Sequence, residues 1–296
     1  MNSREQNIKN GAIAFAIILA VVIIGIMCIG IYSVASIFMP DTKNIATGKT
    51  FEKTYTEEAP DTVIIDNSIG QLTIQSGEKF EVYATNIPKD FSCEFDDGTL
   101  TIDNTYNKKI NFSGTSKCTL TITIPENTEL KRLMISTDAG NCIITDISVD
   151  KFDIETGAGN STITNLVSDT ITVNAGAGNI EFKSSSLNDM TLNCGVGNLA
   201  IKDSTISGDS KIECGVGNFT LNDCKLSGEC EADCGVGEFK LDLNGNLDDY
   251  EIDISSSLGK IKLNGKTYSE VENLNKGADN KLKIDGGVGE ISININ

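Results

Sequence analysis

Three kinds of residue in this 296-residue chain could do chemistry: paired acids, cysteines and a recurring glycine turn. The acids worth weighing are Asp203 and Asp223, Asp96-Asp97, and Asp248-Asp249. Two carboxylates flanking a glycosidic bond would make a hydrolase, and a base with cations along a groove would make a polysaccharide lyase. There is no histidine, which excludes a Ser-His-Asp triad, and no tryptophan to stack on sugars. Aspartates at turns ordinarily bond turn amides, and that plainer reading is adopted here. Calcium at acidic corners stays open, although the calcium-binding repeat Gly-Gly-x-Gly-x-Asp is absent. Of the nine cysteines, Cys194, Cys214 and Cys234 each precede a Gly-Val-Gly, with no histidine to complete a zinc site. A Gly-x-Gly that held phosphate would need a third glycine and a following helix. Neither is present, so no catalytic, cofactor-binding or metal residues are expected.

The glycines have a different purpose. The turn recurs as Gly157-Ala158-Gly159, Gly176-Ala177-Gly178, Gly195-Val196-Gly197, Gly215-Val216-Gly217, Gly235-Val236-Gly237 and, after a gap, Gly287-Val288-Gly289. Degenerate copies end at Gly140 and Gly259. A period near 20 with strand-like sequence between turns predicts a solenoid. Aligned on the glycines, side chains fall into columns. One runs Phe152, Ile171, Met190, Ser210, Cys230, Tyr250, and another Ile135, Ile154, Val173, Leu192, Ile212, Ala232, Ile254, Ile284. Cys194, Cys214 and Cys234 share an inward column, which makes them a ladder of small buried hydrophobes. After the turn, Leu199, Phe219, Phe239, Ile261 and Ile291 share a column. Polar residues alternate with these, so each segment is a strand with one face inside. Leu166, Leu187, Ile206, Leu226 and Leu247 predict a short third side. The expected fold is all-β: a single-stranded, right-handed parallel β-helix with coils of about 20 residues and one N-terminal transmembrane helix. Asn160, Asn179, Asn198 and Asn218 follow the turns and can stack as an amide ladder.

Residues 11–39 carry no charged side chain and are long enough to span a bilayer. Ser33-Val34-Ala35 could mimic a cleavage site, but an uncleaved anchor is adopted. Met27 before Cys28 argues against lipidation. Arg4 and Lys9 precede the segment and Lys43, Lys49 and Lys53 follow it, so the positive-inside count does not decide orientation. A short tail before a large folded domain leaves that domain outside the membrane. Unpaired thiols are unusual in such a place, and a Cys93–Cys118 bridge stays open. Formal charge is −18, which excludes nucleic acid as a partner because the surface repels phosphate.

The chain then divides into a tail (1–10), the membrane helix (11–39), a polar stalk (40–60), irregular coils forming a cap (61–130) and a regular solenoid (131–296). A capping loop is expected near 264–280. Solenoids need caps because an open end exposes core and unpaired strand edges. Ile65-Asp66-Asn67-Ser68-Ile69-Gly70-Gln71-Leu72-Thr73-Ile74, the run from Leu120 to Pro125 leading to Leu133–Gly140, the Gly-x-Gly coils, and Leu282-Lys283-Ile284 to Gly289-Glu290-Ile291 carry a resemblance. Over about residues 60–296 the chain resembles the bacterial putative-adhesin family, a domain of unknown function with β-strand repeats that includes membrane-anchored LiaG-like envelope proteins. The resemblance implies fold and no catalytic residues. The functional expectation is a non-catalytic, membrane-anchored surface module binding a cell-wall polymer, an envelope protein or its own kind. The alternatives are an envelope-stress sensory or regulatory ectodomain working through a membrane partner, and, behind both, a polysaccharide-modifying β-helix enzyme.

Overall fold

A computed structural model describes residues 48–55, 59–106, 118–126, 128 and 130–296. The segment 11–39 lies outside the described residues. Among those described, no helix is long and apolar enough to cross a membrane.

The described residues are all-β. Its N-terminal part holds β1 (Thr50–Tyr55), β2 (Thr62–Gly77), β3 (Phe80–Thr85), β4 (Ser92–Asp96), β5 (Thr99–Asn104) and β6 (Thr119–Pro125). The body holds β7 (Leu130–Lys183), β8 (Ser186–Asn188), β9 (Met190–Lys202), β10 (Thr205–Ser207), β11 (Asp209–Leu226), β12 (Glu229–Val236) and β13 (Phe239–Leu243). A 3-10 turn at Leu247–Asp249 leads to β14 (Tyr250–Leu258), β15 (Ile261–Leu263), β16 (Lys266–Tyr268), β17 (Val271–Leu274), β18 (Asn280–Val288) and β19 (Ile291–Ile295).

Successive coils pair in parallel, like on like. Val173 aligns with Leu192, Leu192 with Ile212, Ile212 with Ala232, and Leu199 with Phe219 and then Phe239. Alternation puts these residues in one continuous buried core and leaves intervening residues such as Thr191, Lys211 and Lys240 outside. Phe219 and Phe239 meet edge-on, with centroids 5.8 Å apart.

Coil order departs from chain order at both ends. The last coil, β18 and β19, is inserted between the coil of β12 and β13 and the coil of β14 and β15: Ala232 aligns with Ile284, and Ile284 with Ile254. The outermost coil is therefore residues 250–263. Its edge is covered by antiparallel β16 on β15 and β17 on β14, both drawn from the 264–280 segment. The other end mirrors this. β2 lies between β5 and β6 on one side and β7 on the other, while β3 and β4 cover β6 and β5 antiparallel and β1 adds to β3. Antiparallel covers leave neither terminal coil presenting a bare parallel edge.

Four sequence expectations change. Ile252, not Tyr250, aligns with Leu282 and through it with Cys230; Tyr250 follows the 3-10 turn and donates its hydroxyl to the Leu226 carbonyl (3.0 Å). Leu166 does not share a column with Leu187, because Ser168 aligns with Leu187 and the Leu166 amide bonds Ser185 Oγ (3.1 Å). Leu247 is half-buried in the 3-10 turn and is not part of the third side. Cys93 and Cys118 are both free; each contacts a tyrosine hydroxyl, Tyr55 at 3.3 Å and Tyr106 at 3.0 Å.

Candidate functional site

The glycines stack along one corner. The second glycine of each turn has a φ that L-residues rarely adopt, +150° at Gly197 and Gly217. A Cβ on Gly217 would also overlap the Gly197 carbonyl oxygen, and one on Gly197 the oxygen of Gly178. The same relation runs from Gly140 through Gly159 to Gly237, then to Gly289 and Gly259. First glycines keep ordinary angles, but a Cβ on Gly157, Gly176, Gly195, Gly215, Gly235 or Gly287 would press on backbone of the neighbouring coil. Close coil-to-coil approach is thus the reason for glycine at both places.

The missing side chains leave a groove of about 670 Å³ running along the stack. Its floor includes Gly157, Gly176, Gly195, Gly215 and Gly235 beside the buried column Thr156, Ala175, Cys194 and Cys214. Its wall is an outward column: Ser136, Glu155, Asn174, Asn193, Glu213 and Asp233, with Asp138 at one end. Asn174 aligns with Asn193, Asn193 with Glu213, Glu213 with Asp233, and Asp233 with Asp285 beyond. Asn193 donates to Asn174 Oδ1 (2.9 Å). On the far side of the turn the middle residues form an apolar ridge, with Ala177, Val196, Val216, Val236, Val288 and Leu258 in register. Val196 is 44% exposed and Leu258 47%. Beyond the ridge, Asn179 bonds Asn160 (2.9 Å), Asn198 bonds Asn179 (2.8 Å) and Asn218 bonds Asn198 (3.0 Å), each through its amide nitrogen.

Electrostatics along the wall are mainly acidic, with Lys283 acting against the shift at Asp233 and Lys211 paired with Glu213. Burial, then Asp285 and Glu231, raise the Asp233 carboxyl above the usual aspartate range. Burial, then Asp103 and Asp138, raise Asp66, which continues the wall past Ser136.

The residues singled out in the sequence lie elsewhere. Asp203 and Asp223 occupy a second corner at φ +49° and +52°, in series with Asp146, Asn165 and Ser184. Asp97 lies in the turn between β4 and β5, and Asp248 and Asp249 in the 3-10 turn. Cys194, Cys214 and Cys234 are in register, free and 5–7% exposed. Burial pushes the Cys214 thiol up to about 12. Among the described residues no group of three or more Cys, Asp or Glu could hold a metal ion. The groove wall itself was not singled out. Its only signal is the outward position two residues before each first glycine, and that position carries no motif.

A family model matches residues 61–294. The chain belongs to the Toastrack DUF4097 family. Several solved structures resemble this member of the Toastrack family. A putative adhesin from Bacteroides fragilis is 16% identical, covering 84% of this chain and 98% of that one, with a TM-score of 0.46. A putative lipid binding protein from Parabacteroides distasonis is 17% identical over 85% and 98%, at 0.41. A putative adhesin from Parabacteroides merdae is 13% identical over 85% and 98%, at 0.33. Identities and scores this low carry no functional argument. No curated protein matches the Toastrack chain.

Proposed function

We propose that this Toastrack protein is a non-catalytic binding module of adhesin type. In this reading it is a right-handed solenoid held at the outer face of the cell membrane by residues 11–39, and it presents its groove to an extended envelope ligand. The observation that carries the reading is the groove itself. It spans at least five coils, with an amide and carboxylate wall on one side and an exposed apolar ridge on the other. Such a surface offers repeated donors and acceptors at one strand spacing, about 4.8 Å. That suits a linear polymer better than a compact small molecule. The names given to the adhesin-like structural neighbours agree with this reading without adding weight to it.

The enzyme alternative also finds acids in a groove. They stand along one wall at successive coils, whereas hydrolysis needs two carboxylates flanking the bond to be cleaved. A sensory role would draw on the same groove and pass its signal through a membrane partner. The test is capture from intact envelopes with the full-length chain. Recovery of polymer or protein that is lost with Asn174→Ala plus Asn193→Ala supports the reading. Equal recovery with that variant places binding off the groove, and turnover of a polysaccharide by the wild type replaces the module with an enzyme.

A further inference from the structure

The geometry points to a ligand class for this groove: a linear chain bearing spaced ammonium groups. The inference rests on the groove being the binding face. The groove lining contains no lysine or arginine, while four of its side chains are carboxylates. Some acids elsewhere have basic partners. Glu181 has both Lys183 (2.7 Å) and Lys202 (2.6 Å), Asp153 has Arg132 (3.1 Å), Glu231 has Lys283, and Glu290 has Lys262 (2.7 Å). Among the described residues no basic nitrogen is in ion-pair distance of Asp138, Glu155 or Asp233; Glu213 alone of the wall acids has one, Lys211 at 2.7 Å. Lys283 acts on Asp233 only at longer range. Four carboxylates thus share one concave surface whose lining holds no basic side chain.

The charge is also patterned. One acidic end comprises Asp66, Asp103, Asp138 and Glu155, and Asp66 feels both Asp103 and Asp138. The other comprises Glu213, Asp233 and Asp285, in register on three neighbouring coils. Between them stand the neutral amides Asn174 and Asn193. From Glu155 to Glu213 is three coil steps, about 14 Å at the usual strand spacing. A chain with ammonium groups at both ends and a plain stretch between would place each charge beside a carboxylate cluster and lay its methylenes along the glycine floor. Anionic polymers are repelled by the same arrangement. Two sources share this chemistry, a free polyamine and the lysine side chains of an extended peptide.

The experiment is calorimetric titration of the full-length chain with spermine, with pentalysine and with a neutral oligosaccharide, at about 0.15 M ionic strength. The expected result is saturable binding of spermine, pentalysine or both, with the stronger of the two naming the source. Glu155→Gln plus Asp233→Asn should weaken it about tenfold or more, since each lost contact is charge-assisted. Asp203→Asn plus Asp223→Asn, at the other corner, should leave it unchanged. Both double variants alter surface side chains, and unchanged thermal unfolding will confirm that they fold. Equal weakening by the corner variant means general charge attraction and overturns the inference, as does absence of saturable ammonium binding. If the amide variant abolishes envelope capture while neither amine binds, the binding face stands and the ligand class is wrong. Saturable binding of the neutral oligosaccharide alone has the same meaning.

Discussion

At the scale of single residues, the corner glycines and the buried thiols are the most exacting positions. Gly217 combines φ +150° with contact against the Gly197 carbonyl, so no relaxation of one side chain makes room for a Cβ. Gly217→Val should cost at least about 3 kcal/mol, read as a lowered urea midpoint; an unchanged midpoint would mean the corner is not under this constraint. The thiols are protected by burial, which holds Cys142, Cys214 and Cys230 up to about 12. A maleimide at pH 8 should therefore label none of these three in the folded chain and all of them in denaturant. Labelling of native Cys214 would show that the groove floor opens. Glu181 is shifted the other way, below the usual glutamate range, by hydrogen bonds from Lys183 and Lys202. Its stabilising contribution is present above the ordinary glutamate value and disappears as pH falls through the lowered one. Wild type should accordingly exceed Glu181→Gln in stability at pH 7, and the two should converge in acid. A gap that persists below pH 3 would contradict the ion-pair account.

At the scale of elements, the short third side is held by a ladder of hydroxyls, a feature distinct from the aliphatic columns. Ser185 Oγ accepts the Leu166 amide and donates to the Lys183 carbonyl (2.8 Å). Ser204 Oγ accepts the Ser185 amide (3.0 Å) and donates to the Lys202 carbonyl (2.6 Å). Cys224 takes the next rung, donating to the Asn222 carbonyl (3.4 Å). Ser204→Ala leaves a buried amide without an acceptor and should cost about 1–3 kcal/mol, whereas Ser204→Cys should retain part of that because Cys224 already fills the same place. Equal losses in denaturant unfolding would show that the rung carries no hydrogen-bond energy. This side also marks where reading from sequence weakens. The long strands are legible because residues such as Leu192, Cys194 and Leu199 alternate with polar ones over many positions. β8 and β10 are three residues each, too short for alternation to fix register, so Leu166 is readily matched to Leu187 when it belongs over Ser185. The groove wall is harder still. Glu155, Asn174 and Glu213 read as ordinary outward strand residues until the glycine floor beside them is seen to be concave.

At the scale of the whole molecule, column matching identifies which residues are equivalent but not the order in which coils stack. Ile254 and Ile284 fit the same column either way, and only pairing shows that Ile284 lies between Ala232 and Ile254. The insertion gives the C-terminal coil two parallel interfaces where a terminal coil has one. Lys281 reaches Glu229 (3.4 Å) and Asn294 reaches Asp242 (2.7 Å) on one side, and Lys262 reaches Glu290 (2.7 Å) on the other. In a stack stabilised by nearest-neighbour contacts, removing an inner coil breaks two interfaces and strands everything outside it. Deleting 280–296 should therefore do more than shorten the protein. The β14 and β15 coil loses its only parallel partner among the described residues and keeps the antiparallel β16 and β17, which cannot hold it alone. Hydrogen exchange on the truncated chain should show amides of Tyr250–Leu263 unprotected and those of β12 and β13 weakened, with the β7 and β9 coils intact. Sequential stacking would instead leave 250–263 as protected as before, and that outcome would remove the insertion.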